Sequence, residues 1–105
     1  MLEINVEELK DKIEKKEDFI LLDVRRDEEY NYTHIAQSIH IPLHELMANY
    51  NKIKKDKEII VYCHHGVRSL KATHILLELG FTKVKSLAGG IHSWSNKIDS
   101  SIPTY

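Results

Sequence analysis

Residues 58–69 read Glu58-Ile59-Ile60-Val61-Tyr62-Cys63-His64-His65-Gly66-Val67-Arg68-Ser69 and contain the clearest structural signals in the chain. The first five are mostly β-branched or aromatic and predict a buried strand that leads directly into Cys63. Apolar residues then recur at helical spacing from Gly66 to Leu79, and Gly80 supplies a stop signal. A buried strand, a short loop and an amphipathic helix in succession indicate an α/β domain.

Short apolar runs elsewhere in the chain predict the other strands. Residues 19–22 are apolar at every position, as expected for a central parallel strand that is covered on both faces. Shorter strands are predicted to begin at Ile4 and to lie at residues 38–41 and 83–87. Strands that alternate with helical segments favour a parallel sheet.

Amphipathic segments between these runs predict the helices. We expect helices from a cap at Asn5 to about Lys15, a brief turn at 27–30, and helices at about 43–53 and 91–97. In the 43–53 helix, the residues expected to share one side are Leu46, Met47 and Tyr50.

Length and composition limit the classes of protein to consider. The chain has 105 residues, of which 42% are hydrophobic and 30% charged, which suits a single globular domain at 1–105. The formal net charge of -1 favours neither a nucleic-acid nor a membrane partner, and a monomer is the default expectation. The acidic opening lacks the basic-then-apolar order of a secretory signal, so we expect a cytoplasmic location.

Cys63 is the only cysteine, which excludes an intramolecular disulfide and a Cys-x-x-Cys pair. A lone cysteine is more often a buried apolar residue than a reactive one. Its position argues otherwise, because backbone N–H groups and the helix dipole converge where a strand end leads into a helix. A thiolate would be stabilised there, so Cys63 is the candidate nucleophile.

The residues that follow Cys63 form the candidate substrate-binding loop. Gly66 tolerates the backbone angles of a tight turn, and Arg68 offers planar donors to an oxyanion. Ser69 can donate a hydrogen bond to sulfur or cap the helix. The two histidines either attract an anionic donor when protonated or are exposed without a role. The complete candidate set is His64, His65, Gly66, Val67, Arg68 and Ser69.

Three blocks of the sequence resemble the rhodanese family and occur in the family's order. They are Leu21-Leu22-Asp23-Val24-Arg25 with Glu28-Glu29-Tyr30, His34-Ile35 and Ile41-Pro42-Leu43; the 63–69 loop; and Leu87-Ala88-Gly89-Gly90-Ile91 with Trp94. Together they span most of the chain and are more specific than the loop alone. The sequence departs from the family pattern at Thr33, where Gly is usual, and at Ala36-Gln37-Ser38, where a Pro-Gly-Ala-like stretch is usual.

The resemblance implies a rhodanese-like α/β fold with a five-stranded parallel sheet flanked by helices on both faces. It also implies a sulfurtransferase of the thiosulfate sulfurtransferase type, in which Cys63 carries sulfur as a persulfide. The donor would be a small molecule such as thiosulfate, and the acceptor a thiol, cyanide or a protein. No metal and no organic cofactor is implied.

Two alternatives stand beside this interpretation. The first is a phosphatase or an arsenate reductase. In the related dual-specificity phosphatases, five residues separate Cys from Arg, so that the loop can wrap around a tetrahedral phosphate. Here four residues separate Cys63 from Arg68, and Ser69 stands at the phosphatase position, so the smaller loop suits a single sulfur better. A non-enzymatic rhodanese module, or a protein sulfur carrier that acts with a partner, is the other alternative.

The seven histidines raise the question of a metal site. Cys63, His64 and His65 are adjacent, but sequential neighbours on a turn seldom all face one ion. His40 precedes Pro42 and is not expected to share a helix with His44. We therefore expect no metal site and assign a structural or exposed position to the other histidines, namely His34, His74 and His92.

Other conspicuous residues have structural interpretations. Asp23 and Arg25 at the end of a predicted strand are expected to form an ion pair that holds the backbone in place, rather than a catalytic pair. Gly89-Gly90 is expected to make a tight connection. Trp94 is expected in the core, with a wall of the substrate pocket as the alternative.

Overall fold

The computed structural model describes residues 2–105 and contains a five-stranded sheet in the order β1-β5-β4-β2-β3. All of the strand pairs are parallel, as expected for strands that alternate with helices. The strands are β1 (Glu3–Ile4), β2 (Phe19–Asp23), β3 (Ile39–His40), β4 (Glu58–Tyr62) and β5 (Val84–Leu87). The predicted sheet is thereby confirmed, and β4, which leads to Cys63, is its central strand.

The helices cover both faces of this sheet. They are α1 (Val6–Glu14), α2 (Asp27–Tyr32), α3 (Leu46–Asn49), α4 (Val67–Glu78) and α5 (Gly90–Lys97). Asn5 caps α1 as predicted, because its side chain accepts a hydrogen bond from the Glu8 N–H while the Glu8 carboxylate accepts one from the Asn5 N–H. No helix within residues 2–105 is long and apolar enough to cross a bilayer.

A separate hydrophobic core lies on each face of the sheet, because side chains of successive strand residues point to opposite faces. On one face, Val61 and Cys63 pack with buried residues of α3 and α4, among them Leu46 and Leu76. On the other face, Ile60 and Tyr62 pack with buried residues of α1 and α5, among them Leu9, Ile91 and Trp94. Burial on both faces explains why the central strands are apolar at nearly every position.

The prediction of one continuous helix between residues 43 and 53 is wrong. The chain forms a 3₁₀ turn at Leu43–Glu45, one turn of α-helix, and a second 3₁₀ turn at Tyr50–Lys52. Three residues per turn in the 3₁₀ segments shift the phase, so one helical face cannot continue across them. Leu46 is fully buried, whereas Met47, which was expected beside it, is 61% exposed.

A turn at residues 35–38 accommodates the departure from the family's Pro-Gly-Ala-like stretch. Gln37 has a left-handed φ of 67°, where glycine is the favoured residue. The Tyr62 hydroxyl accepts a hydrogen bond from the Ile35 N–H at 3.1 Å and donates one to Ser38 Oγ at 3.0 Å. The buried tyrosine at the end of β4 therefore holds a turn that lacks its usual glycine.

The neighbours Leu46 and Met47 give a matched test of the corrected fold. Leu46→Ala should lower the free energy of unfolding by about 2–5 kcal/mol, because it empties a fully buried position. Met47→Ala should change it by less than about 0.5 kcal/mol, because the side chain is mostly in water. Urea denaturation measures both, and equal losses would contradict the exposed position of Met47.

Candidate active site

Cys63 lies directly after β4, and its side chain is almost completely buried, at 1% exposure. Its Sγ accepts hydrogen bonds from the backbone N–H groups of Gly66, at 3.1 Å, and Ser69, at 3.3 Å. Gly66 precedes the first residue of α4 and has a φ of 111°, which an L side chain rarely adopts. The predicted convergence of backbone donors on the sulfur is confirmed, and these donors favour a negatively charged sulfur.

The structure shows which of its two predicted roles Ser69 has, a hydrogen bond to sulfur or a cap on the helix. It is the third residue of α4, and Gly66 occupies the cap position, so Ser69 is not the N-terminal cap. Its Oγ lies 3.4 Å from Cys63 Sγ, a distance that suits a hydrogen bond with the thiol as donor or the thiolate as acceptor. Ser86 of β5, which sequence reasoning missed, places its Oγ 2.7 Å from Ser69 Oγ. A polar residue inside an otherwise buried strand was the available signal.

The first turn of α5 is hydrogen-bonded to the backbone at the start of the 63–69 loop. The Ile91 N–H donates to the Cys63 carbonyl at 2.9 Å, and the His92 N–H donates to the His64 carbonyl at 3.1 Å. A Cβ at Gly90 would lie only 2.4 Å and 2.5 Å from the His64 and Cys63 carbonyl oxygens. The Gly89-Gly90 pair is thus more than the expected tight connection, because only glycine permits this approach.

Arg68 is paired with a carboxylate and does not contact the sulfur. Its guanidinium donates two hydrogen bonds to Glu29 of α2, at 2.6 Å and 2.9 Å. The Tyr105 hydroxyl donates a third to Glu29 at 2.9 Å. The Arg68 hydrogen bonds are the main cause that lowers the pKa of Glu29 to about 2, against the opposing effect of burial.

The Asp23–Arg25 ion pair predicted from the sequence is confirmed and is fully buried. Arg25 Nη2 lies 2.6 Å from Asp23 Oδ2 and also donates to the Thr33 carbonyl at 2.6 Å. Arg25 Nη1 donates to the Tyr105 hydroxyl at 2.7 Å. The pair therefore connects the end of β2 to the chain after α2 and, through Tyr105, to the Glu29–Arg68 pair.

The remaining predicted loop residues face outward to different degrees. Val67 is 80% exposed and His65 is exposed, whereas His64 is half-buried and stacks on the Tyr105 ring. Burial, and then the charge of His65, lower the pKa of His64 below its usual value. Trp94 lies in the core and lines a cavity on the α1 and α5 face that residues 63–69 do not border, which disfavours its alternative role as a wall of the substrate pocket.

Comparison with known proteins agrees with this geometry. Residues 5–97 match the model of the rhodanese-like domain. This chain belongs to the rhodanese-like domain family. The rhodanese-like chain is 39% identical over 80 residues to the thiosulfate sulfurtransferase GlpE of Coxiella burnetii, a match that covers 76% of this chain and 75% of GlpE.

Two further similarities extend the comparison. The rhodanese-like chain is 37% identical over 97 residues to YrkF of Bacillus subtilis, which is named as a candidate sulfur carrier protein. The match covers 92% of this chain but only 52% of YrkF, so the chain spans about half of that relative's length. The crystal structure of a rhodanese-related protein from Thermoplasma volcanium matches with a TM-score of 0.84 at 35% identity and covers 93% of this chain and 94% of that one.

The low pKa of Glu29 predicts an acid-dependent loss of stability. Because this pKa falls from 4.5 to about 2 on folding, the Glu29 carboxylate contributes stability above about pH 4.5 and loses that contribution as the pH falls towards 2. Urea denaturation between about pH 5 and pH 3 should show a smaller acid loss in Glu29→Gln than in wild type. The control is Glu28→Gln at an exposed neighbour, which should lose as much free energy of unfolding in acid as wild type does. If Glu29→Gln also lost as much as wild type, the Arg68–Glu29 pairing would be contradicted.

Proposed function

We propose that this chain is a sulfurtransferase that moves sulfane sulfur from thiosulfate or a persulfide donor to a thiophilic acceptor through a persulfide on Cys63. The observation that carries the proposal is the position of Cys63 Sγ, which lies at the end of β4 and accepts two backbone hydrogen bonds. Donors that are already in place can stabilise a sulfur anion without reorganisation.

The first half-reaction loads sulfur onto Cys63. The thiolate attacks the outer sulfur of thiosulfate, a new S–S bond forms at Sγ, and the S–S bond of thiosulfate breaks so that sulfite leaves with the electron pair. The outer sulfur of the persulfide then carries the negative charge. The Gly66 and Ser69 N–H groups, which already contact Sγ, are the backbone donors that support this persulfide in the proposal.

The second half-reaction returns the enzyme to its starting state. A nucleophilic acceptor such as cyanide, a thiol or a protein thiol attacks the outer sulfur, and Cys63 leaves as the thiolate. No metal and no organic cofactor takes part in either step. The two steps share one nucleophile, so donor and acceptor react in turn at the same sulfur.

Arg68 is the proposed contact for the oxyanion end of thiosulfate. Glu29 accepts two of the five N–H donors of its guanidinium, so the other N–H groups, or all five if Glu29 moves away, can bind the donor. His64 and His65 belong to the same loop and complete the proposed donor site. We place this chemistry in a monomer in the cytoplasm, where thiols are kept reduced.

The decisive test compares wild type with Cys63→Ser in the transfer of sulfur from thiosulfate to cyanide. Wild type should release sulfite and form thiocyanate, and Cys63→Ser should lose at least about three orders of magnitude in kcat/KM because serine cannot form a persulfide. His74→Gln, on the exposed side of α4, serves as the control. An active Cys63→Ser variant, or a wild type inactive with thiosulfate and with persulfide donors, would refute the proposal.

A sulfur carrier that acts with a partner is the second candidate, and the similarity to YrkF favours it. A carrier and an enzyme both form the Cys63 persulfide but differ in turnover. Thiocyanate that accumulates well beyond one equivalent per chain supports the enzyme. A chain that thiosulfate does not load, but that releases one equivalent of thiocyanate after a persulfide donor has loaded Cys63 and been removed, supports the carrier.

A further inference from the structure

Three histidines lie together on the surface beside Cys63. His64 and His65 come from the loop after β4, and His92 comes from the first turns of α5. Each offers one ring nitrogen, and these three nitrogens lie within 4.8 Å of one another. The sequence predicted that Cys63, His64 and His65 would not all face one ion and indicated no ligand role for His92. The ring centroids of His64 and His65 are 3.9 Å apart, and those of His65 and His92 are 4.8 Å apart.

Backbone hydrogen bonds fix the relative position of the two segments that carry these rings. The His92 N–H donates to the His64 carbonyl at 3.1 Å, next to the bond from the Ile91 N–H to the Cys63 carbonyl. The cluster is therefore not formed by mobile side chains of one loop alone. It joins a loop and a helix that the Gly90 turn already holds together.

Two of the ring nitrogens are buried and have no hydrogen-bond partner among residues 2–105. These are His64 Nε2 and His92 Nδ1. Buried polar atoms in folded proteins are nearly always hydrogen-bonded, so two such nitrogens in one cluster are candidates to bind a ligand. The nearby carboxylate, Glu29, is already bound by Arg68 and Tyr105. A partner that accepts lone pairs from several imidazoles at once is a metal ion.

We propose that His64, His65 and His92 bind one divalent transition-metal ion of the zinc class, through one ring nitrogen each, with one coordination position left open. Zinc–nitrogen bonds of about 2.0–2.1 Å place the ligand nitrogens of a tetrahedral site roughly 3.3 Å apart. Because the His65 side chain is exposed, its ring can turn and bring its nitrogen closer to those of His64 and His92.

Asn96 is suited to orient the His92 ligand. Its side-chain amide lies 3.1 Å from His92 Nε2, on the side of the ring opposite the unpartnered Nδ1. When Nδ1 binds a metal, Nε2 carries the proton and needs an acceptor, which the amide oxygen of Asn96 supplies after half a rotation. Histidine ligands commonly have such a partner on their second nitrogen, so Asn96 is a positioning residue of the proposed site.

Metal binding to the untagged, full chain tests this proposal independently of the sulfur chemistry. The test uses Cys63→Ser, which removes the thiolate as a competing ligand, with Co²⁺ titrated by its visible absorption and Zn²⁺ by calorimetry. We expect one ion per chain. His92→Gln and His65→Gln should each weaken binding by about 10²-fold or more, and Asn96→Ala by about tenfold. The control His74→Gln should leave the affinity unchanged.

Three outcomes would overturn the proposal. The first is the absence of saturable binding in the Cys63→Ser background. The second is equal affinity in His65→Gln, whose exposed side chain makes a folding defect an implausible confounder. The third is an equal loss of metal affinity in His74→Gln and His92→Gln, which would mean that histidines across the surface bind the ion non-specifically.

Discussion

The structure of the candidate site depends on one close approach between two backbones. The first turn of α5 donates two N–H groups to the Cys63 and His64 carbonyls, and Gly90 leaves no room there for a side chain. With its carbonyls bound on this side, the loop is free to turn the N–H groups of Gly66 and Ser69 towards the sulfur. The Gly-Gly block near the end of the chain is therefore part of the site.

A second network fixes the opposite side of the loop through charge. The buried Asp23–Arg25 pair holds the end of β2, and Tyr105 connects Arg25 to Glu29. Glu29 in turn pairs with Arg68 on the first turn of α4. Glu29 therefore joins the buried pair at the end of β2 to the first turn of α4, next to the proposed donor site.

Local patterns in the sequence predicted most of the fold and the position of Cys63 at the end of a buried strand. The strand, glycine turn and helix around Cys63 are consecutive in the chain, so their signals are read together. Contacts between distant segments could not be predicted in this way. Ser86 and His92 reach the loop only through the register of β5 and the path of α5. The exposure of Met47 likewise depends on 3₁₀ turns that binary patterning does not encode.

The rate at which Cys63 gains sulfur from thiosulfate, followed by intact mass, tests most directly whether the α5 contact builds the sulfur site. Gly80→Ala is the control for Gly90→Ala, because Gly80 also has a left-handed φ, of 98°, but a Cβ there meets only Lys55 Nζ, at 3.3 Å. Wild type and Gly80→Ala should gain one sulfur atom at similar rates, and Gly90→Ala about 10²-fold more slowly. A Gly90→Ala variant with native circular dichroism that gains sulfur at the wild-type rate would contradict this account.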